Sequence, residues 1–174
     1  MASGPTLHPA AALAAAVLPG AGYLVLGHPA RALGAFAGIM VLFAGGLFIG
    51  GIDAVDSKED KIWFYGQALV GPIAFGVDYA HQNVFKAIDP DTNTLRTGYP
   101  NETQARDDTG RRVWRELTDE EIAQGMGPPN TKGVGRMNEI GQLSCTLAGM
   151  MNLIVFLDAL FPAAWSRPRS KGDA

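Results

Sequence analysis

Four long apolar stretches constrain the fold of this chain more than any other feature of its sequence. They run over residues 9–26, 32–52, 62–79 and 140–164. A helix needs roughly 20 residues to cross a hydrocarbon core of about 30 Å, so each stretch is predicted to span a membrane. The alternative, buried helices of a soluble protein, requires a polar face that residues 32–52 lack. The predicted fold class is an all-α integral membrane protein with about four transmembrane helices and one long polar loop.

These stretches divide the chain into three segments. Residues 1–79 are predicted to form a three-helix membrane segment, residues 80–139 a polar extramembrane loop, and residues 140–174 a fourth transmembrane helix with a short basic tail. The formal net charge of −3 provides no basic surface for nucleic acid, so we expect none as a partner. Residues 10–18 could also be the core of a signal peptide, but no Lys or Arg precedes them, so we expect no cleavage.

Small residues recur at four-residue spacing in the second and fourth stretches. In lipid the hydrophobic effect does not drive helices together, and small residues let two backbones approach closely. We therefore expect these two helices to be neighbours within one chain or to pair between two copies. The predicted packing positions are Gly34, Gly38, Gly46, Gly50, Gly141 and Gly149.

The first stretch is interrupted by proline and glycine. Proline removes a helical hydrogen bond and glycine permits a sharp bend, so a kinked or broken helix is predicted there. Neighbouring helices can satisfy the freed backbone groups, or these groups can hold an ion or a substrate. The hinge residues are Pro19, Gly20, Gly22 and Gly27.

Four polar side chains lie inside the apolar stretches, namely Asp78, Asp158, Gln67 and Asn152. Ionisable groups within a membrane are costly and are usually paired or functional. We expect Asp158 to accept a hydrogen bond from Gln67 or to pair with Lys61, and both of these roles are structural. A proton or cation site at Asp158 and Asn152 is the alternative.

A second polar group is expected where the third stretch ends. Asp78 and His81 are three residues apart and share a helix face, so they could bind a metal together with His28 or Glu139. The alternative is an interfacial cluster in which Arg31 pairs with Asp78. No H-E-x-x-H motif or cysteine pair accompanies these residues. We therefore expect no metal, no cofactor and no catalytic residue.

Four crossings would fix which connections share a side of the membrane. Residues 53–61 would lie with both termini, and residues 28–31 would lie with the long loop. Counting Lys and Arg near the helix ends gives five on each side, so the positive-inside rule does not orient the chain. The additional arginines of the loop, Arg111, Arg112 and Arg115, favour a cytoplasmic loop.

The polar loop contains short-range signals for local structure. Residues 107–110 are predicted to form a tight turn, followed by a strand over residues 112–117. Thr118 and Glu121 have the spacing of a capping box, which predicts the start of a short helix. Trp114 is the largest of few apolar residues. We therefore expect the loop to lie against the membrane face or a partner, without a core of its own.

Two parts of the chain resemble known bacterial families. Residues 19–27, PGAGYLVLG, resemble the P-G-x-G-x-(F/Y)-x-L-G hinge of small membrane proteins related to the two-transmembrane-helix domain. Residues 139–159 are similar to the closing helix of an uncharacterised family best represented in planctomycetes. The resemblance implies a four-helix integral membrane protein without an assigned activity.

Together these observations favour a non-enzymatic, multi-pass protein of the bacterial inner membrane. Its expected partners are the lipid bilayer and either another protein or a second copy of the chain. The first hypothesis is a scaffold or interaction subunit whose polar loop docks a partner. A small transporter or channel subunit, with the broken first helix and Asp158 near the permeation path, is the alternative. The third hypothesis is an enzyme that modifies lipid through Asp78, His81 and His28.

Overall fold

The computed structural model describes residues 7–128 and 136–162, and the structural statements below concern these residues. The helices are α1 Pro9–Val17, α2 Ala21–Val25, α3 Pro29–Gly50, α4 Lys61–Ala68, α5 Pro72–Ala80, α6 Asp119–Ala123 and α7 Arg136–Leu160. A 3-10 turn, Ile52–Ala54, follows α3, and a π-helical turn, His81–Phe85, follows α5. The strands are β1 Ala87–Ile88, β2 Leu95–Arg96, β3 Glu102–Arg106 and β4 Arg112–Glu116.

The two long helices, α3 and α7, form an antiparallel pair at the centre of the fold. Gly46 and Gly50 lie against Gly141 and Cys145, and a Cβ placed on Gly141 would be 2.6 Å from the Cα of Gly50. This close approach is possible because no side chain separates the two backbones. Both helices are long and apolar enough to cross a membrane, yet only 22% and 28% of their most apolar windows are buried. Most of their apolar side chains therefore face outward.

The first apolar stretch forms a hairpin of α1 and α2 beside the end of α7. The chain turns at Gly20, whose φ of +80° is a conformation that glycine adopts readily. Helix α1 runs antiparallel to α7. The N–H of His8 donates to the Leu160 carbonyl at 3.0 Å, and the carbonyl of Ala15 accepts from Asn152 at 3.1 Å. Helix α2 then returns to the end at which α1 began.

The third apolar stretch is not one helix but a second hairpin, formed by α4 and α5. Gly71 turns the chain with φ of +110°, and Pro72 begins α5 because proline has no N–H with which to continue α4. Helix α4 lies along α7, and α5 returns to the end at which α4 began. As a result the Oγ of Ser57 donates to Oδ2 of Asp78 at 2.7 Å.

This second hairpin overturns the sides that four crossings assign to the connections. Residues 53–61 lie with the long loop, since the Oγ1 of Thr97 donates to Asp53 at 3.0 Å. Residues 28–31 lie at the other end with the α1–α2 hairpin, where the N–H of His28 donates to the carbonyl of Tyr23 at 2.8 Å. The predicted grouping was wrong because a hairpin returns the chain to its starting side.

The polar loop builds a four-stranded sheet with the order β2-β1-β4-β3. Strands β3 and β4 are antiparallel over five residue pairs, whereas β1 is parallel to β4 and antiparallel to β2. Trp114 is buried and lies against Gly98, and its indole N–H donates to the carbonyl of Arg96 at 3.0 Å. Strand β4 and the capping box of α6 are present as predicted. The all-α fold class did not include this sheet. Strands β1 and β2 have two residues each and show no periodicity, and β3, ETQAR, has no alternating apolar residues.

Candidate functional site

A cluster of buried polar side chains joins the polar loop to the helices. We call it the latch. Each of its members is at most 8% exposed. They come from the residues after α3, the π-helical turn, the sheet region and the first turn of α7. The members are Asp53, Asp56, His81, Lys86, Thr97 and Asn138.

Asp53 is held from three directions. Its Oδ1 accepts a hydrogen bond from Oγ1 of Thr97 at 3.0 Å and lies 3.4 Å from Nε2 of His81. Its Oδ2 accepts from Nδ2 of Asn138 at 3.2 Å. One carboxylate therefore ties the end of α3 to the sheet region, to the π-helical turn and to the start of α7.

Asp56 and Lys86 form a buried ion pair, with Nζ 2.5 Å from Oδ2. Oδ1 of Asp56 accepts from the backbone N–H groups of Lys58 and Glu59 and from Nε2 of Gln82, and Nζ of Lys86 also donates to Glu59 at 2.6 Å. Burial alone would raise the pKa of Asp56 and lower the pKa of Lys86. The hydrogen bonds reverse both effects, so the pKa of Asp56 lies below its ordinary value and the pKa of Lys86 above.

His81 faces an acceptor at each ring nitrogen. Nδ1 lies 3.3 Å from the carbonyl oxygen of Val55, and Nε2 lies 3.4 Å from Oδ1 of Asp53. A ring that carries a proton on both nitrogens donates to both acceptors.

Three ligand atoms of the latch are close enough for one metal ion. One atom each of Asp53, Asp56 and His81 lies within 4.8 Å of the others. However, Nζ of Lys86 already occupies the cation position beside Asp56. A metal would have to displace this buried ammonium, which would then lose its buried carboxylate partner. The geometry fits an internal salt-bridge network better than a metal centre.

The structure does not bring the predicted metal candidates together. Asp78 accepts from the N–H and the Oγ of Ser57 at 2.8 and 2.7 Å. His81 belongs to the latch, whereas His28 directly precedes α3, a helix of 22 residues that is about 33 Å long. His28 therefore lies at the opposite end of the fold from His81. Arg31 lies at that end too, so it does not pair with Asp78.

The predicted partners of Asp158 are also elsewhere. Asp158 accepts a hydrogen bond from the hydroxyl of Tyr23 at 2.7 Å. Gln67 instead donates its side-chain amide to the carbonyl of Ala54 at 2.8 Å, and Lys61 begins α4 at the latch end. The predicted contact to Asp158 was wrong because α4 ends before it reaches the level of Asp158.

Asn152 connects the tips of the two hairpins. Its Nδ2 donates to the carbonyl of Ala15 in α1 at 3.1 Å and to the carbonyl of Leu69, just after α4, at 2.9 Å. The last carbonyls of a helix have no partner within the helix. One side chain, 1% exposed, thus satisfies a carbonyl at the end of each broken helix.

The predicted packing glycines have three different surroundings. Gly46, Gly50 and Gly141 lie between α3 and α7. Gly149 packs on α4, where an added Cβ would clash with the carbonyl of Gly66. A Cβ on Gly34 or Gly38 would meet no atom of the described residues within 4 Å. These last two glycines therefore leave an open surface on α3.

The hinge residues likewise play different parts. Pro19 and Gly20 form the buried tip of the first hairpin. Gly22 faces α7, where an added Cβ would lie 2.7 Å from the Cβ of Ala159. Gly27 has φ of +80° in open space before α3. Only the first three therefore pack the hairpin.

Most of the latch is not predicted by the sequence. His81 is a predicted metal-ligand candidate, and the other five members are not among the predicted site residues. Their only local signal is that Asp53 directly follows the second apolar stretch. That signal is common at helix ends and does not specify partners.

Comparison with known proteins places the chain in one family. Residues 10–171 match DUF6677, a family of unknown function. No curated protein and no solved structure matches the chain. The matched region includes both hairpins, the latch and α7.

Proposed function

Because this chain belongs to the DUF6677 family, whose function is unknown, we propose a function from the arrangement of its described residues. The protein is a non-enzymatic scaffold of the inner membrane that holds its sheet at one membrane face, where a partner protein docks. The latch carries the proposal. Its buried side chains fix the sheet to the ends of α3 and α7, and such a fixed surface is what a docking platform requires.

Outward-facing apolar side chains support the membrane location. Phe48 on α3 is 91% exposed, Ile62 on α4 is 85% exposed, and Ile154 on α7 is 66% exposed. Soluble proteins rarely expose contiguous apolar surface of this kind. We place all four apolar stretches in the bilayer, two as crossings by α3 and α7 and two as hairpins that enter from opposite faces. The proposal includes a relationship to planctomycete-type four-helix membrane proteins and to proteins with the two-transmembrane-helix domain.

The distribution of basic residues supports a cytoplasmic sheet. With the hairpins in place, nine of the ten Lys and Arg residues that the structure describes belong to the latch end, and Arg31 belongs to the other end. Cytoplasmic segments of membrane proteins carry an excess of Lys and Arg. The equal numbers of Lys and Arg that four crossings gave on the two sides are therefore replaced by an excess at the latch end.

The docking surface is expected where apolar side chains are exposed on the sheet end. Tyr99 is 60% exposed, Ile122 on α6 is 52% exposed, and Met126 is 46% exposed. Aromatic residues and methionine are enriched at protein interfaces. These three residues are the positions at which we expect a partner to make contact.

Site-specific crosslinking in native membranes tests this function. A photoreactive amino acid at Ile122 is expected to give one discrete protein adduct, identified by mass spectrometry and recovered again when that partner carries the tag. The same amino acid at Phe48, on the lipid-facing side of α3, is the matched control and is expected to give lipid adducts. If Ile122, Tyr99 and Met126 all give only lipid or no adducts, the docking role is wrong.

A transporter or channel subunit is the second candidate, and Asp158 favours it. This carboxylate lies on α7 beside the broken α1–α2 hairpin and is bonded to Tyr23. Acidic residues at broken helices often mark ion paths. Purified protein in liposomes would then conduct protons or Na⁺, and Asp158→Asn would abolish flux at normal abundance. The lipid-modifying enzyme has no assembled site here, because His28 lies at the opposite end from His81.

A further inference from the structure

Five arginines lie between the start of β1 and the end of β4, and three of them are neutralised by carboxylates. Each of these three has a nitrogen within 2.9 Å of a carboxylate oxygen. The ion pairs are Arg96 with Asp89 and Glu102, Arg111 with Asp107, and Arg115 with Glu121. The other two arginines, Arg106 and Arg112, form no ion pair with any residue that the structure describes. We call these two residues the arginine pair.

The two members of the arginine pair lie directly opposite each other on neighbouring strands. The register of β3 and β4 places Arg106 against Arg112. The next residues along the hairpin, Asp107 and Arg111, are hydrogen-bonded through their backbones at 2.9 Å. Because such pairs alternate, the arginine pair is a non-hydrogen-bonded pair, in which the Cα atoms are about 4.5 Å apart. Like charges directly opposite each other are destabilising, and an anion held between them would remove this repulsion.

The carboxylates at the tip of this hairpin do not neutralise the arginine pair. Asp107 accepts hydrogen bonds from the backbone N–H and from Nε of Arg111, each at 2.9 Å. Asp108 is exposed and forms no ion pair with a described residue. Arg106 donates to the carbonyl of Gly110 at 3.0 Å, which satisfies one N–H group but leaves the charge uncompensated. The compensating anion is therefore expected from outside the described part of the chain.

The arginine pair lies on the face of the sheet that is turned toward the helices. Side chains alternate between the two faces of a strand, so the pair shares a face with Gln104 and Trp114. Gln104 donates its side-chain amide to the carbonyls of Val84 and Phe85 at 3.1 and 3.0 Å. Both carbonyls belong to the π-helical turn that follows α5. Two residues of a strand span about 7 Å, so the arginine pair begins just beyond this turn.

We propose that the arginine pair binds the headgroup of an anionic phospholipid, with the phosphate between the two guanidinium groups. Arginine binds phosphate through paired, charge-assisted hydrogen bonds. The π-helical turn ends a hairpin that we place in the bilayer, and the side chain of Val84 in this turn is 53% exposed. The face that carries the arginine pair is therefore directed at the headgroups beside α5. The cytoplasmic leaflet supplies anionic lipids. The inference rests on the proposed membrane location and does not depend on the docking of a partner protein.

Photocrosslinking from the hairpin tip tests the site. A photoreactive amino acid replaces Asp108 in the full chain, which is reconstituted in nanodiscs with equal amounts of phosphatidylglycerol and phosphatidylcholine. Mass spectrometry then counts the adducts of each lipid. We expect phosphatidylglycerol adducts to be more frequent by about tenfold or more, because each basic residue beside an anionic surface contributes about 1 kcal/mol. The same amino acid at Phe48, on the lipid-facing side of α3, is the internal standard and should give both lipids equally.

Two double variants separate the site from the net charge of the sheet. Arg106→Gln combined with Arg112→Gln removes the arginine pair and is expected to abolish the enrichment at position 108. Arg111→Gln combined with Arg115→Gln lowers the net charge by the same amount and leaves the arginine pair in place, so the enrichment should persist. Resistance of the sheet to limited proteolysis shows that each double variant is folded.

The possible outcomes are distinct. Equal adducts of the two lipids at position 108, no lipid adducts there, or an enrichment that survives loss of the arginine pair would overturn the site. Adducts with protein alone would also overturn it. Replacing chloride by inorganic phosphate at constant ionic strength should leave the enrichment in place, and its loss would assign the arginine pair to a soluble anion instead of a lipid. Absence of lipid adducts at Phe48 as well would overturn the membrane location itself.

Discussion

The two helical hairpins have the same shape but are anchored differently. Each turns at a glycine with positive φ, Gly20 or Gly71, and each gives a carbonyl to Asn152. The α1–α2 hairpin is bonded to α7 at its open end through Tyr23 and Asp158. The α4–α5 hairpin continues at its open end into the buried charges of the latch.

This difference shows that local sequence determines where a hairpin turns, whereas the placement of charged residues determines how the hairpin is anchored. Glycine and proline at a tip are sufficient to turn the chain. They do not determine how firmly the hairpin is held, which depends on polar partners far away in sequence. We expect the α4–α5 end to depend on its ion pairs and the α1–α2 end to depend mainly on the packing of small residues. The predictions below test that contrast.

The largest effect is expected from breaking the latch with Lys86→Met. Removing one partner of a buried ion pair leaves an uncompensated charge, so the free energy of unfolding should fall by about 3–5 kcal/mol. Chemical denaturation of the full chain in detergent measures this change. Lys58→Met, at an exposed position in the same connection, is the control and should cost little. Equal effects of the two variants would show that the latch does not anchor this hairpin.

Gly71→Ala should have the next largest effect. The added Cβ would lie 2.7 Å from the carbonyl oxygen of Ala16, and alanine is also strained at φ of +110°. We expect a loss of about 3 kcal/mol. Gly27→Ala has positive φ but open space, so it should lose only about 1 kcal/mol. Thermal unfolding of the two variants measures both losses, and the difference between them reports the contact between the hairpin tips. Equal losses in the two variants would contradict that contact.

Asn152→Ala should loosen both hairpins together. It leaves the carbonyls of Ala15 and Leu69 without their donor, which should cost about 1–2 kcal/mol. Cysteines introduced at Val17 and at Leu69 should both become more accessible in this variant. Asn83→Ala removes a single exposed hydrogen bond to the carbonyl of Tyr79 and is the control. A rise in accessibility at only one hairpin tip would contradict the conclusion that Asn152 holds both tips.

Tyr23→Phe tests the anchor of the first hairpin with a smaller change. It removes one hydroxyl and keeps the ring, so the loss should be about 1 kcal/mol, well below that of Lys86→Met. Thermal unfolding compares it with Tyr65→Phe, whose ring is 71% exposed. A loss as large as that of Lys86→Met would remove the contrast between the hairpins.

The smallest effect is expected from pH, through the Asp56–Lys86 pair, which keeps both of its charges between about pH 5 and 9. The pKa of Asp56 is lowered from 3.8, so its stabilisation is present above that value and is lost as pH falls through the folded pKa. The pKa of Lys86 is raised from 10.5, so its stabilisation is lost only as pH rises through its folded pKa. Limited proteolysis of the sheet should therefore increase below about pH 4, where Asp56 begins to take up a proton. Unchanged resistance of the sheet down to about pH 2 would contradict this assignment.

The first break could be predicted because Pro19 and Gly20 stand together between apolar helices. Gly71 and Pro72 carry the same signal in the third stretch. Continuous hydropathy across residues 62–79 nevertheless favours one span. A glycine–proline pair is a reliable sign of a turn even inside an apolar run.

The latch could not be predicted in the same way. Asp53 bonds Thr97, 44 residues later, and Asn138, 85 residues later. Such pairs depend on whether the intervening helix crosses or returns. A one-helix reading of residues 62–79 places Asp53 and Thr97 on opposite sides of a membrane.

The sequence by itself therefore determined the four apolar stretches, the first break, strand β4 and the capping box of α6. Each of these depends on residues close together in the chain, where hydropathy, backbone preference and spacing act directly. Only the tertiary structure decided the second hairpin's return, the membership of the latch and the pairing of Asp158 with Tyr23. The physical reason is that buried polar groups take whichever partners the folded path brings within hydrogen-bond distance.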